Sequence, residues 1–185
     1  MNNTISILSG IDQPIQKLQS NLYAYLLKKW TLTDETYSAY GRCYRNKVSD
    51  GFRPEAFIGS DYKALIYDDT VSAMSFFGLV DPETSVQGYS NETVALIFCI
   101  DLSKVKPNNN NQMLDEQAMN DVIDFINRCG NGFTLKKKYR YVDHVFDLYS
   151  GQWKKDMIDR VSKYPKFCFR LDLTVPYNSS LNQYC

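Results

Sequence analysis

The spacing of hydrophobic positions predicts two amphipathic helices, over residues 12–29 and 115–128. In each segment apolar side chains recur every three or four residues, which places them on one face of a helix. Pro14 suits the first turn of the first helix, and Gly130 follows the second at the point where helices commonly end. A third segment, 143–163, is predicted to be helical in part. The apolar positions of the three segments are Ile15, Leu18, Leu22, Tyr25, Leu26, Met119, Val122, Ile123, Ile126, Trp153, Met157, Ile158 and Val161.

Two longer segments with alternating side chains predict β-strands. In residues 92–102 both alternating sets are apolar over most of the length, which indicates a central strand covered on both faces. In residues 166–175 one set is apolar and the other is mostly polar, so we expect one inward and one outward face. The predicted inward side chains are Phe167, Phe169, Leu171, Leu173 and Val175, and the predicted outward ones are Cys168, Arg170, Asp172 and Thr174.

Shorter strands are predicted in the first half of the chain, arranged as an antiparallel meander. Asp50-Gly51 is the sharpest turn signal between two of them. Pro54 lacks a backbone N–H, so it indicates an edge position or the start of a strand. The pattern of residues 71–80 does not decide between helix and strand. The predicted short strands are 37–45, 52–58 and 62–67.

Together these elements predict an α+β fold, in which an antiparallel or mixed sheet packs on one face against two or three helices. The chain of 185 residues suffices for one domain with a substantial core. We assign that domain to residues 12–175. A flexible N-terminal arm at 1–11 and a C-terminal tail at 176–185 flank it in this assignment.

The composition weighs against a classical enzyme. Tyr (14), Phe (10) and Trp (2) are abundant, whereas His144 is the single histidine, which leaves little room for histidine-based catalysis. Equal numbers of basic and acidic residues, 21 each, argue against a general polyanion binder. The five cysteines include no C-x-x-C pair and are interpreted as reduced thiols. We therefore expect no catalytic residues, no cofactor and no metal site.

The segment 133–142, FTLKKKYRYV, is predicted to be a strand that concentrates basic and aromatic residues. Strict alternation would place Lys136, Lys138 and Arg140 on one side, as candidates for proximity to DNA. Basic residues interleaved with aromatics can bind phosphates and stack on bases. This segment supports an alternative function, that of a small nucleic-acid-binding protein. A solvated edge strand, protected by its lysines from unwanted pairing, would give the same pattern.

Acidic side chains gather at Asp61, Asp68, Asp69, Asp81 and Glu83. Carboxylate oxygens are the ligands that hard divalent cations prefer, so an enzyme with a metal site around the first three is a further hypothesis. The spacing is not that of an EF-hand loop. Turn carboxylates that accept hydrogen bonds from backbone N–H groups are the more ordinary interpretation.

The tyrosines exceed what one core of this size can hold, so we expect several of them at contact surfaces. Tyrosine offers a large contact area with few torsions to order, and its hydroxyl can remain at a hydrated rim. The interface candidates are Tyr37, Tyr40, Tyr177 and Tyr184. With two flexible ends that can order against neighbours, this pattern favours an assembly subunit over an enzyme.

Three segments of the chain resemble a known family. Residues 40–46, 53–63 and 68–77 are similar to structural proteins of tailed bacteriophages that infect Bacteroidetes, in particular the crAss-like phages. The order of the predicted elements also resembles the tail-terminator and tail-completion fold. Simple tail-completion proteins are often shorter, so segments 62–90 and 143–165 are interpreted as insertions.

The resemblance implies a structural virion protein, a ring-forming subunit of the head–tail connector, or neck, that joins portal and tail around the DNA channel. Such homo-oligomeric rings are usually twelvefold below the portal or sixfold nearer the tail. The implied partners are the portal, neighbouring connector or tail proteins, and packaged DNA contacted without sequence specificity. No membrane is implied, and assembly is expected in the host cytoplasm.

Overall fold

A six-stranded mixed sheet and a three-stranded sheet organise the fold, which is α+β as the sequence predicts. The structure, a computed structural model, describes residues 1–3, 8, 10–80, 89–105, 113–130 and 132–178, with 89–91 and 176–178 described by their backbone alone. The strands are β1 (Asn2–Asn3), β2 (Tyr37–Arg42), β3 (Tyr44–Val48), β4 (Gly51–Ile58), β5 (Asp61–Ala64), β6 (Ala73–Leu79), β7 (Tyr89–Asp101), β8 (Thr134–Tyr139) and β9 (Lys166–Asn178). The described helices are α1 (Asp12–Lys29), α2 (Leu102–Val105), α3 (Leu114–Cys129), α4 (Val142–Val145) and α5 (Gly151–Val161).

The large sheet has the strand order β1-β2-β6-β7-β9-β8. β7 lies between β6 and β9 and pairs antiparallel with both. Every residue of β7 from Val94 to Ile100 is completely buried, which confirms the predicted central strand. β2 pairs parallel with β6, and β1 pairs parallel with β2, so the sheet is mixed.

Hydrophobic cores lie on both faces of this sheet. α1 and α3 cover the first face, where the rings of Phe98 and Phe169 stack with centroids 5.0 Å apart. α4, α5 and the small sheet cover the second face, around Phe76 and Phe146. The expectation that helices pack on one face only was wrong. The reason lies in β6 and β7, which present apolar side chains in both directions and so need cover on both sides.

The second core buries residues that were expected to point outward. Arg170 and Asp172 are 4% and 6% exposed, and Cys168 is buried beside them. The Arg170 guanidinium donates two hydrogen bonds to the Asp172 carboxylate, Nε to Oδ1 at 2.6 Å and Nη2 to Oδ2 at 3.0 Å. Their polarity suggested contact with water, but each charge finds its partner inside the protein.

The small sheet forms because the strand predicted over 37–45 is divided at Cys43. Its first part stays in the large sheet as β2, whereas its second part forms the hairpin β3–β4 of the small sheet. The chain therefore does not form one antiparallel meander. Pro54 lies in the central strand β4, not at an edge or a strand start. This is tolerated because the missing N–H would point towards β5 beyond its last residue, while the Pro54 carbonyl accepts from Leu65 N–H at 3.1 Å.

Two hydrogen bonds between Phe52 and Ser150 join the small sheet to the start of α5. The Ser150 N–H donates to the Phe52 carbonyl oxygen at 3.0 Å, and the Phe52 N–H donates to Ser150 Oγ at 3.1 Å. Gly151 has a φ of 73°, and a Cβ there would approach the Asp50 carbonyl oxygen to 2.4 Å, so glycine is required. The small sheet is thus held in a defined position against the second core.

The large sheet extends beyond the predicted domain limits of 12 and 175. β1 lies within the predicted arm, and β9 continues through 176–178 alongside the start of β7. The remaining parts of the predicted arm and tail, at 4–7, 9 and 179–185, lie outside the described residues.

Candidate functional site

The basic segment forms β8, which pairs with β9 at one end of the large sheet. Leu135 lies opposite Leu173, but Lys137 lies opposite Asp172, so Lys136 is an extra residue in a β-bulge. The bulge reverses the alternation of side chains. The prediction that Lys136, Lys138 and Arg140 share one side by strict alternation was therefore wrong. All three side chains are nevertheless exposed.

The bulge directs Lys138 and Arg140 towards α3. Lys138 lies opposite Leu171, whose side chain belongs to the first core. Both terminal nitrogens of the Arg140 guanidinium contact the Glu116 carboxylate, with Nη2 to Oε1 at 2.6 Å. The hydrogen bond from Arg140 lowers the pKa of Glu116, and the nearby charge of Lys138 lowers it further. Part of the positive charge expected on this strand is thus compensated by Glu116.

Tyr139 faces the opposite side, above the buried ion pair. The guanidinium carbon of Arg170 and the ammonium of Lys137 each lie 4.6 Å from the centroid of its ring. Cations at this distance interact favourably with the negative face of an aromatic ring. The ring of Tyr139 is therefore occupied by neighbours from the protein itself.

A cavity of about 540 Å³ opens where β8 leads into α4. We call it the β8–α4 cavity. The exposed side chain of Tyr141 (79%) and two of the three predicted DNA-proximal residues, Lys138 and Arg140, contribute to its wall. Lys136 is not among the described residues that line it. The lining residues are Asp115, Lys138, Tyr139, Arg140, Tyr141, His144 and Phe167.

His144 reaches the cavity from the short helix α4. Its Nδ1 lies 3.2 Å from Oδ2 of Asp147, and the other carboxylate oxygen, Oδ1, accepts a hydrogen bond from Lys154 Nζ at 2.8 Å. Burial raises the pKa of Asp147, but the hydrogen bonds from Lys154 and His144 outweigh it, so the pKa is lowered. The single histidine thus lies beside the surface ion pair of Asp147 and Lys154, next to the basic strand.

The acidic residues predicted as a metal site have separate partners. Asp61 accepts from the Tyr62 N–H, and Asp68 accepts from the Thr70 N–H at 2.8 Å. Asp69 pairs with Lys166, and that hydrogen bond lowers its pKa. In the part of the chain that the structure describes, no three His, Cys, Asp or Glu side chains meet in a way that could hold a metal ion. Asp81 and Glu83 lie outside that part.

The predicted interface tyrosines have different environments. Tyr37 is buried, 1% exposed, because β2 directs it towards α1, where it stacks on Tyr23. Its hydroxyl shares a hydrogen bond of 2.9 Å with Ser75 Oγ on β6. Its assignment to an interface was therefore wrong. Tyr40 is half-buried against the second core. Tyr177 is described by its backbone alone, and Tyr184 lies outside the described residues.

An exposed aromatic patch on the small sheet was missed from the sequence. It consists of Tyr44, Phe57 and Tyr62, which are 45%, 38% and 45% exposed. The ring centroid of Tyr62 lies 5.0 Å from that of Tyr44 and 5.2 Å from that of Phe57, in edge-on contacts. The register between β4 and β5, with Phe57 opposite Tyr62, brings them together. That register was the missing signal, since the sequence predicted both strands but not their alignment.

Charged side chains frame the aromatic patch. The guanidinium carbon of Arg42 lies 4.9 Å from the centroid of Tyr44, and Arg42 is held by Asp12 with Nη2 to Oδ2 at 2.9 Å. Below the rings, Glu55 is buried and accepts from Asn46 and Arg53, each at 2.8 Å. Each oxygen of this buried carboxylate therefore has a hydrogen-bond donor.

Comparison of the chain with protein-family models, with curated proteins and with solved structures gives no match. None of the described helices is both long and apolar enough to span a membrane.

Proposed function

We propose that the protein is a structural virion protein, a ring-forming subunit of a bacteriophage head–tail connector that joins portal and tail around the DNA channel. In this proposal it is not an enzyme. Its partners are copies of itself, the portal and neighbouring connector or tail proteins. The observation that carries the proposal is the aromatic patch of Tyr44, Phe57 and Tyr62 on the outer face of the small sheet.

The composition of the patch suits a contact between subunits. Aromatic residues and arginine are enriched at the centres of protein interfaces, and here Arg42 lies over the ring of Tyr44. The rings also belong to the segments 40–46 and 53–63, which carry the resemblance to phage structural proteins. The balance of 21 basic and 21 acidic residues supports the packing of many copies, because a large like charge would oppose ring closure.

Light scattering after size-exclusion chromatography, together with negative-stain electron microscopy, tests this proposal. We expect the wild-type protein to form closed rings, alone or after addition of portal protein. The double variant Tyr44→Ser/Tyr62→Ser should remain monomeric with an unchanged melting temperature. Tyr141→Ser, which removes an exposed tyrosine outside the patch, is the matched control and should assemble normally. Wild-type protein that stays monomeric even with portal protein would contradict the proposal.

A second candidate function is binding to nucleic acid, and one specific observation favours it. Lys136 and Lys138 on β8 and Arg140 directly after it are all exposed, next to two tyrosines. Retention on a DNA column should fall steeply with salt, since such contacts displace counterions from the phosphates. The variant with all three residues replaced by alanine should elute early. Retention of that variant in roughly 0.3 M salt would contradict binding through this strand.

A further inference from the structure

We propose that the β8–α4 cavity binds one nucleotide unit, with its phosphate at Lys138 and its base stacked on Tyr141. The unit can belong to a single-stranded nucleic acid or to a free nucleotide, since both present the same phosphate, sugar and base. This inference rests on the second candidate function, nucleic-acid binding, and specifies its ligand and its site.

The size of the cavity suits one nucleotide unit. Its volume of about 540 Å³ lies in the range of small-molecule sites, roughly 300–1,000 Å³. A base pair within a duplex would remain outside, because its bases are stacked on both sides and cannot enter a pocket without being extruded. Sites for single strands combine cationic groups with aromatic platforms, and both kinds of group line this cavity.

Tyr141 is the available stacking platform. Its side chain is 79% exposed, and it belongs to neither hydrophobic core. Tyr139 lines the same cavity, but Lys137 and Arg170 already lie over its ring. A base that stacked on Tyr141 would have the Phe167 side of the cavity as an apolar boundary.

Lys138 is the principal phosphate ligand in this arrangement. Arg140 also lines the cavity, but its two terminal nitrogens are engaged by Glu116. An ammonium group can supply three donors to a phosphate without a fixed orientation. The Asp115 carboxylate, on the wall formed by α3, can accept from an amino group of a base. The site therefore offers donors for the phosphate and an acceptor for the base.

The Glu116–Arg140 pair predicts a gain of affinity. Glu116 competes with an incoming phosphate for the Arg140 guanidinium, and its negative charge opposes the phosphate directly. Replacement of Glu116 by glutamine removes that charge and leaves Arg140 free to contact the ligand. We therefore expect Glu116→Gln to bind nucleotide units more tightly than the wild-type protein does, with an unchanged melting temperature.

Fluorescence anisotropy with a labelled single-stranded DNA of roughly ten nucleotides tests the proposal. Lys138→Ala and Tyr141→Ser should each weaken binding by about fivefold or more. Lys136→Ala, which removes the same charge from the same strand outside the cavity, should have a clearly smaller effect. Glu116→Gln should strengthen binding.

Two further ligands distinguish the sources of the nucleotide unit. A duplex of the same sequence should bind more weakly than the single strand, and calorimetry with deoxycytidine monophosphate, whose base carries an amino group, shows whether a free nucleotide suffices. Binding of the mononucleotide without binding of the strand would support the site and assign a free nucleotide as its ligand. Equal losses of affinity in Lys136→Ala and Lys138→Ala, without loss in Tyr141→Ser, would contradict binding in the cavity. They would leave the proposal of nucleic-acid binding by β8 intact. Absence of binding to all three ligands would overturn both.

Discussion

At the scale of single residues, the ion pair between Arg170 and Asp172 places two opposite charges inside the second core. Both residues are almost fully buried, and the guanidinium meets the carboxylate through two parallel hydrogen bonds. Tyr139 adds a ring beside the guanidinium. Removal of either charge would leave the other without a partner inside the protein, which costs far more than the pair itself contributes.

Asp172→Ala is therefore expected to destabilise the protein by about 3–5 kcal/mol, because it leaves the Arg170 charge buried and unpaired. Urea denaturation at neutral pH measures the loss. The double variant Arg170→Met/Asp172→Leu should recover much of it by replacing the pair with apolar side chains. Lys154→Ala, which breaks the exposed pair with Asp147, should cost at most about 1 kcal/mol. A loss for Asp172→Ala no larger than this control would contradict the argument.

Buried hydroxyl and thiol groups make stability sensitive to alkaline pH. Burial raises the pKa values of Tyr37, Tyr67 and Tyr149, and it raises the pKa of Cys168 to about 12. In the unfolded chain, thiols lose their protons near pH 8.5 and tyrosines near pH 10. Since the folded state holds these protons more tightly, they do not affect stability below those values. Stability falls progressively as the pH rises from those values towards the higher pKa values of the folded state.

The melting temperature is accordingly expected to be constant near neutral pH, to fall above about pH 8.5, and to fall more steeply above about pH 10. Tyr149→Phe should flatten the steep part, because it removes one buried hydroxyl that the unfolded chain ionises. Tyr141→Phe, at an exposed position, is the control. Differential scanning calorimetry across this range decides the matter, and a steep part of equal slope in Tyr149→Phe and the wild type would refute the assignment.

At the scale of elements, β7 and β9 connect the two cores. Their paired residues Phe98 and Phe169 stack in parallel on the first face, with an angle of 11° between the rings. On the second face the same two strands present Cys99 opposite Cys168. A substitution in either strand is therefore expected to affect the packing on both sides of the sheet.

Phe98→Asp and Phe169→Asp are each expected to unfold the protein, since the new carboxylate would be buried without a partner. Circular dichroism should show loss of the cooperative thermal transition. Phe57→Asp introduces the same charge on the exposed aromatic patch and should melt close to the wild type. A cooperative transition of normal midpoint in Phe98→Asp would refute the position given to β7.

The elements that the sequence predicted well are those whose pattern is local. The helical spacing of apolar side chains in α1 can be recognised from that segment alone, and the predicted bounds of 12–29 agree with the structure. β7 was identified as central because both of its faces are apolar. The pairing of β2 with β6, by contrast, depends on segments far apart in the chain, and nothing within 37–45 indicates that the strand divides at Cys43.

The same distinction applies to the candidate sites. The exposure of Lys138 and Arg140 could be predicted from their charge. The bulge at Lys136 could not, because one extra residue changes every later side-chain direction without changing the composition. Tyr37 was misplaced for a related reason, since the sequence shows how many tyrosines there are but not which of them face a helix.

At the scale of the whole molecule, the end of β9 divides residues that pair in the sheet from residues that are proposed to contact neighbouring subunits. Residues 176–178 pair with the start of β7, so truncation after Val175 removes the last part of that ladder. Truncation after Asn178 leaves it complete. Comparison of the two truncations therefore distinguishes the contribution of the sheet residues 176–178 from that of the segment 179–185.

Truncation after Asn178 is expected to leave the melting temperature unchanged and to weaken ring assembly, because the removed segment is proposed to contact neighbouring subunits. Truncation after Val175 should have the same effect on assembly and also lower the melting temperature slightly. Light scattering and thermal melting of both variants provide the check. Unimpaired assembly after either truncation would show that this segment has no part in subunit contacts.

The pairing of β7 with β9 also has a consequence for how the chain reaches its native state. Between these two strands the chain passes through α2, α3, β8, α4 and α5. Bringing them together closes a long loop, and contacts between residues so far apart in sequence slow the folding of small domains. Because both cores use the same two strands, neither can be completed before this closure. During synthesis on the ribosome, the first half of the protein therefore cannot complete its folding until β9 has emerged. Until then the apolar faces of β7 stay incompletely covered.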